Sequence, residues 1–425
     1  MKGSIPLAAG VTEKALPAEA AALFVPAYGS IIVELKEEFS AADFVAAGFV
    51  ENTVHELGKT VDEPVLSADL PGIGLVAVKL EELEAAWEGT LAKVFPPVSG
   101  VQQQPLPGFA TGIHESLQQA REKGLGAVVA ESADAITILK GAKPRILLPV
   151  FPGTNCEFDM KRAFQLAGGE VKILVFRNNT PAALAESLKE LAKEIGLAQI
   201  LAFSGGFSAG DEPDGSGKFI ANVIREPGIS SQVMELLKNR DGLVLGICNG
   251  FQALIKTGLV PYGEILEPVQ SMPTLTYNTI GRHISRFTRT RLVSALSPWA
   301  SHPSVVEDVL HWVPISHGEG RIIISEELAR DLFRKGQVFT QYVDMNGAVA
   351  ASEPDNPNGS AYAIEGLTSP DGRVLGKMGH SERTMGPDLQ KGTPFLMGNV
   401  TGNGGIGKKQ SSCQNIFAAG VSYFL

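Results

Sequence analysis

From residue 145 onward the chain repeats one pattern: a short apolar run, a turn, then an amphipathic stretch with helical spacing. RILLPVF (145–151) is followed by MKRAFQLAGG, VKILVF (171–176) by TPAALAESLKELAKEIG, and QILAF (199–203) by a glycine-rich turn. Apolar runs that do not alternate with polar residues are strands buried on both faces. Interleaving them with helices predicts an α/β domain whose mostly parallel sheet is covered on both sides. Thr180 and Pro181 stand where an N-cap and a first helical residue belong. A further strand, GLVLGI (242–247), runs directly into Cys248.

The N-terminal part reads differently. Strand-like SIIVELK (30–36) and GIGLVAVKL (72–80) accompany the helical stretch KLEELEAAWEGTLAKVF (79–95), which together predict a small α/β unit. PPVSGVQQQPLP (96–107) has no hydrophobic period and marks a boundary. One helix, HESLQQAREKGLG, and a short run ITIL (136–139) follow it. The expected organisation is a first domain over 1–97, a linker or transition segment over 98–143, and a large domain over 144–425.

Composition narrows the function classes. With 44% hydrophobic and 19% charged residues among 425, the chain is ordinary for a folded globular protein. Its 36 Lys+Arg against 46 Asp+Glu give a net charge of -10, which argues against nucleic acid and against an anionic membrane as partners. Glu13 and Lys14 interrupt the apolar run from Ile5 to Val11, so no secretory signal is expected, and no stretch approaches the ~18 apolar residues of a membrane span. The three cysteines, Cys156, Cys248 and Cys413, form no CxxC pair, so no metal site is expected and a reducing cytoplasm fits best.

Cys248 is the centre of candidate chemistry. It lies in G-I-C-N-G between a buried strand and a helix, the thiol counterpart of the nucleophile elbow of serine hydrolases. Gly246 and Gly250 suit a bend too sharp for neighbouring β-carbons, and the helix N-terminus beyond favours a thiolate. A lone cysteine is more often a small buried hydrophobe. Here the strand, the flanking glycines and the helix reverse those odds, whereas Cys156 and Cys413 have no such surroundings and read as structural.

A thiolate nucleophile needs a base, and the base an orienting carboxylate. Two H-x-E pairs qualify: His317 with Glu319 in ISHGEGR, and His380 with Glu382 in GHSER. Spacing alone does not choose between them. The histidines at 55, 114, 283, 302 and 311 have no such acid and are assigned packing or surface roles. After strand QILAF, Gly205 and Gly206 are placed to bring backbone N–H groups to a bound carbonyl, completing an oxyanion hole with the amide of Asn249. Taken alone, that turn reads as an ordinary Gly/Ser loop. Phosphate binding is weaker still, for lack of a G-x-x-x-x-G-K-[ST] motif.

Seven blocks give the chain a resemblance: PVFPGTNCEFD (149–159), FSGGFSAGDE (203–212), GICNGFQALIKTGL (246–259), LTYNTIGRHISR (275–286), PISHGEGR (314–321), NPNGSAYAIEGLTSPDGRVLGKMGHSER (356–383) and the closing QNIFAAGVSYF. Together they resemble the glutaminase portion of the phosphoribosylformylglycinamidine synthase family, built on the flavodoxin-like fold of class I glutamine amidotransferases. The resemblance implies that Cys248 is the nucleophile and that His380 and Glu382, not the SHGEG block, complete the triad. It further implies that Gln252, Asn278, His317 and Glu319 line the glutamine site or the interface with a synthetase. The family often carries proline on either side of the late histidine, where this chain has Gly379 and Ser381, which predicts a more flexible loop.

Residues 20–97 resemble, more weakly, the end of the AIR-synthase-like, ATP-binding synthetase region of the long clostridial-type enzymes, through YGSIIVE and LEELEAAWEGTLAKVFP. On that likeness the chain is expected to be a C-terminal piece or a separately encoded subunit. ATP and Mg are expected in a synthetase portion and no cofactor in this chain. The implied chemistry is hydrolysis of glutamine to supply ammonia for purine biosynthesis. Two other classes fit the elbow: a cysteine hydrolase of protease or chaperone type on the same sheet, and a non-catalytic docking subunit with a vestigial triad.

Overall fold

The computed structural model describes residues 33–35, 39–50, 53–70, 73–89, 113–123, 143–210, 216–306, 310–384 and 414–425. The chain divides into two units, Met1–Pro96 and Pro97–Leu425. The first holds helix α1 (Ala41–Ala46), strands β1 (Val65–Leu70) and β2 (Gly74–Lys79) paired antiparallel, and helix α2 (Leu80–Gly89). Of the strand expected at 30–36, residues 33–35 carry no regular structure and the remainder lies outside the described residues, as does the run ITIL.

In the second unit, helix α3 (Glu115–Lys123) forms where HESLQQAREKGLG was expected to be helical, within the linker or transition segment. Leu117 and Ala120 on it are buried in the main core, and the His114 N–H donates to the Val293 carbonyl at 2.8 Å. The apolar runs become β3 (Arg145–Val150), β4 (Glu170–Val175), β5 (Ile200–Phe203) and β6 (Leu243–Ile247), separated by α4 (Glu157–Leu166), α5 (Pro181–Ile195), α6 (Lys218–Arg225) and α7 (Pro227–Lys238). The Thr180 hydroxyl accepts the Ala183 N–H at 3.1 Å, so the cap expected for α5 is made. Then follow α8 (Asn249–Thr257), β7 (Thr274–Tyr277), β8 (Ile284–Leu292), β9 (Leu310–His317), β10 (Glu319–Ile323), α9 (Glu326–Arg334), β11 (Val338–Tyr342), β12 (Ile364–Thr368), β13 (Val374–Lys377) and α10 (Ile416–Ser422).

Nine strands form one sheet in the order β4-β3-β5-β6-β13-β12-β11-β8-β9. It is parallel from β4 to β13, and of the remaining strands β12 and β8 run against the others. Every residue of β5, β6, β11, β12 and β13 is buried, which requires cover on both faces. The order carries a functional consequence. The chain leaves β3 toward β4 and returns on the other side to β5 and β6, so the loops after β3, β5 and β6 converge at the carboxyl ends of the strands, where open α/β sheets bind ligands.

The C-terminal helix closes this core. Phe417 on α10 meets Phe164 on α4 edge-on at 5.0 Å, and Phe164 meets Trp299 at 6.4 Å, all three fully buried. Gly420 is needed because a β-carbon there would lie 2.3 Å from the Trp299 ring. Replacing Phe417 by Ala should cost about 3–5 kcal/mol of stability, read as a lower urea midpoint; an unchanged midpoint would show that α10 does not help to hold the core.

Candidate active site

The bend at Cys248 is built by close packing of backbone. A β-carbon on Gly246 would meet Gly250 backbone carbon at 2.7 Å, and one on Gly250 would meet the Phe203 carbonyl oxygen at 2.2 Å. Strand β6 therefore turns into α8 directly over the end of β5. Cys248 absorbs the turn with φ 53° and ψ -105°, a conformation that costs a non-glycine residue ~1–3 kcal/mol and persists only where surrounding packing imposes it. Its N–H donates to the Lys377 carbonyl at 2.9 Å, tying the bend to β13. The thiol is nearly buried and points to the Ser316 carbonyl at 3.7 Å.

Of the two H-x-E pairs, one forms a dyad. His380 Nδ1 lies 2.6 Å from Glu382 Oε1, and both side chains are buried. His317 instead bonds Asn278 Oδ1 through Nδ1 at 3.1 Å, while Glu319 Oε2 accepts the Ser216 N–H at 3.0 Å. The register shift between Glu319 and Arg321 in β10 accompanies this divergence of two side chains that sequence spacing placed together.

His380 and Cys248 flank Gly205. A β-carbon on Gly205 would lie 2.7 Å from His380 Cε1, 3.2 Å from Cys156 Sγ and 3.4 Å from Cys248 Cβ, so only glycine leaves the imidazole and both thiols this close. Burial alone would lower the proton affinity of His380, but the Glu382 carboxylate, followed by the two thiols, holds its pKa well above the usual histidine range. His380 Nε2 is buried and has no well-aligned hydrogen-bond partner among the described residues. This leaves it available to a group entering beside Cys248.

His317 has the opposite character. Burial, then the charge of nearby His380, then that of His283, push its pKa down to about 3. It is a neutral wall of the site. Asn278 behind it donates to the carbonyls of Arg282 and His317 at 3.0 and 2.8 Å and accepts from Gly320 N–H at 3.1 Å, so its amide is fully used inside the protein. Gln252 likewise takes the Asn249 side-chain N–H at 2.9 Å and donates to the Glu319 carbonyl.

The turn after β5 is laced to the turn after β3. N–H groups of Asn155 and Cys156 donate to the Gly205 carbonyl at 3.2 and 3.4 Å, and Gly206, at φ 135°, packs where a β-carbon would meet Thr154 Cα at 2.5 Å. Asn249 opens α8, and its side chain accepts the Ser208 N–H at 3.2 Å. The glycine turn and the helix start that sequence reading assigned to an oxyanion hole thus border the same thiol.

Several neighbours were not legible beforehand. Cys156, read as structural, faces the His380 ring with the Arg383 guanidinium 3.0 Å from its sulfur. Cys156 Sγ, a His380 ring nitrogen and a Glu382 oxygen lie within 4.8 Å of one another, a metal-like grouping, yet the adjacent guanidinium opposes a cation there. His283 bonds the Ser316 hydroxyl at 3.1 Å and its ring approaches exposed Phe207, placing it at the rim. Cys413 lies outside the described residues.

The loop carrying His380 is pinned rather than loose. Lys377 Nζ donates to the Gly379 carbonyl at 2.8 Å and to the Ser381 hydroxyl at 3.0 Å, and Glu365 accepts the Gly379 N–H at 2.6 Å. His380 N–H donates to the Pro314 carbonyl of β9 at 2.8 Å.

Comparison with known proteins agrees with this architecture. Residues 143–424 match the model of the CobB/CobQ-like glutamine amidotransferase domain. The chain is similar to phosphoribosylformylglycinamidine synthase subunit PurQ of Dehalococcoides mccartyi, 33% identical over 244 residues that make up 57% of this chain and 86% of the relative. For the same-named subunit of Treponema denticola the figures are 36% over 259 residues, 57% and 89%. A probable phosphoribosylformylglycinamidine synthase, chloroplastic/mitochondrial, of Arabidopsis thaliana is 29% identical over 343 residues, 78% of this chain and 22% of that one.

The buried neutral His317 makes stability depend on acid. Unfolded, it takes up a proton near pH 6.5; folded, it resists down to about 3, so its contribution is complete above pH 6.5 and is lost as pH falls toward 3. The loss should amount to a few kcal/mol, at about 1.4 kcal/mol per pH unit. Urea unfolding from pH 7 to 4 should show the parent losing more stability than His317→Gln, and parallel curves would contradict the assignment.

Proposed function

We propose that this chain, which belongs to the CobB/CobQ-like glutamine amidotransferase domain family, hydrolyses glutamine through Cys248, His380 and Glu382. The ammonia then serves phosphoribosylformylglycinamidine synthesis in purine biosynthesis. The observation that carries the triad is the buried His380–Glu382 pair turned toward a thiol on a strained, glycine-flanked bend.

In this reading the Cys248 sulfur attacks the side-chain carboxamide carbon of glutamine, and the tetrahedral oxygen takes hydrogen bonds from backbone N–H groups of the Gly205–Gly206 turn and Asn249. His380 Nε2 passes a proton to the departing nitrogen, the C–N bond breaks, and ammonia leaves a γ-glutamyl thioester on Cys248. Water, activated by the now neutral His380, cleaves the thioester to glutamate and restores the thiol. Glu382 fixes the Nδ1–H tautomer and so points Nε2 at the reacting atoms. His317, neutral at the working pH, bounds the site without adding a competing acid.

The partner is a synthetase that takes up the ammonia, with ATP and Mg on its side and formylglycinamide ribonucleotide as acceptor. Among the described residues no helix is long and apolar enough to cross a membrane.

Cys248→Ala should abolish glutamine hydrolysis while leaving the thermal transition within a few degrees of the parent, and His380→Asn should lower kcat by ~10²- to 10⁴-fold. Ammonia release by the Cys248→Ala protein would overturn the assignment.

A further inference from the structure

Glu365 and Lys377 form a second buried ionic group beside the triad that the chemistry above does not use. Both side chains are fully buried, with Lys377 Nζ 3.3 Å from Glu365 Oε1. The ammonium donates hydrogen bonds to the Gly379 carbonyl and the Ser381 hydroxyl and forms an ion pair with Glu365. The carboxylate takes the Gly379 N–H at 2.6 Å through one oxygen and the Thr340 hydroxyl through the other. The Ser381 hydroxyl in turn donates a hydrogen bond to Gln414 Oε1 at 2.9 Å, just before α10.

Buried ion pairs are a poor means of gaining stability, because desolvation consumes most of the attraction and apolar replacements often do as well. What this pair does gain is position. It grips the backbone on both sides of Gly379 and the side chain of Ser381, which immediately follows His380. Gly379 is itself matched to the grip: a β-carbon there would lie 2.9 Å from Glu365 Oε1 and 3.2 Å from Lys377 Nζ. The backbone of the same lysine is tied to the nucleophile, since the Lys377 carbonyl accepts the Cys248 N–H at 2.9 Å. One residue therefore holds the thiol through its backbone and the imidazole loop through its side chain.

We propose that Glu365 and Lys377 are positioning residues that fix His380 against Cys248 during glutamine hydrolysis. The inference rests on the triad reading given above. Displacing a catalytic group by about 1 Å can cost ~10²-fold in rate, so a fixed loop has a direct kinetic value.

The test uses the full chain carrying Glu365→Gln together with Lys377→Met, which keeps an acceptor for the Gly379 N–H and leaves no unpaired buried charge. Glutaminase kcat and KM are measured beside the rate of Cys248 alkylation by iodoacetamide between pH 5 and 9. The expected result is a kcat lower by ~10-fold or more with KM within about 2-fold, and Cys248 alkylation at pH 7 slowed by ~10-fold as the imidazolium facing it is lost. A folded double variant with the parent's kcat and the parent's alkylation profile overturns the proposal. If the double variant does not fold, Ser381→Ala, which removes one arm of the grip, should lower kcat several-fold at unchanged KM, and a parental kcat there overturns it equally. Should the parent hydrolyse no glutamine, the substrate reading fails, and the alkylation profiles of parent and variant still decide the positioning.

Discussion

The structure depends on one steric constraint: three backbone segments packed so closely around residue 248 that only glycine fits beside it. Gly246 and Gly250 let β6 turn into α8 against the carbonyl of Phe203. Gly205, at the start of the neighbouring turn, leaves room for the imidazole and the thiols. The strain taken up by Cys248 is the consequence, and it lifts the sulfur out of the sheet to the start of a helix, where partial positive charge and backbone N–H groups gather. A methyl group at any of these glycines would force apart elements that the sheet order brings together.

The second constraint is electrostatic. A carboxylate, an imidazole and an ammonium–carboxylate pair are buried around one loop, and among the described residues His380 Nε2 and one oxygen of Glu382 have no well-aligned hydrogen-bond partner. Buried charge is tolerated when its geometry is complete. The proposed mechanism sets a substrate atom at His380 Nε2. His380 and His317 sit in opposite environments: one beside a carboxylate and held above the usual range, the other desolvated, bonded to the Asn278 amide, and held far below it. Pairs of titratable groups pushed apart in this way are a common property of active sites.

How much of this the sequence displays depends on the range of the interaction. Strands β3 to β6 and the cap of α5 are written locally, in apolar runs of the right length and in Thr180–Pro181, and the glycines around Cys248 announce the bend because its steric demand is local. The choice between His317 and His380 is not local. It turns on Asn278 taking the ring of His317 and on Glu319 accepting the distant Ser216 N–H. Cys156 was invisible for a topological reason: its loop meets the site because β3 lies beside β5, a sheet order that no run of residues encodes. Glu365 and Lys377 stand inside runs that form buried strands, and a flexible loop was expected around Gly379 because a side-chain grip from β12 and β13 leaves no mark in the loop's own composition.

The central claim is that the sulfur of Cys248 and Nε2 of His380 act on the same substrate atoms. It is tested most directly by a crystal structure of the chain after reaction with an electrophilic glutamine analogue. Continuous density is expected from Cys248 Sγ to the analogue's carbonyl carbon, with His380 Nε2 within hydrogen-bond reach of the adduct and the Glu382 contact intact. An adduct on Cys156, or one on Cys248 with His317 as the nearest imidazole, would contradict it.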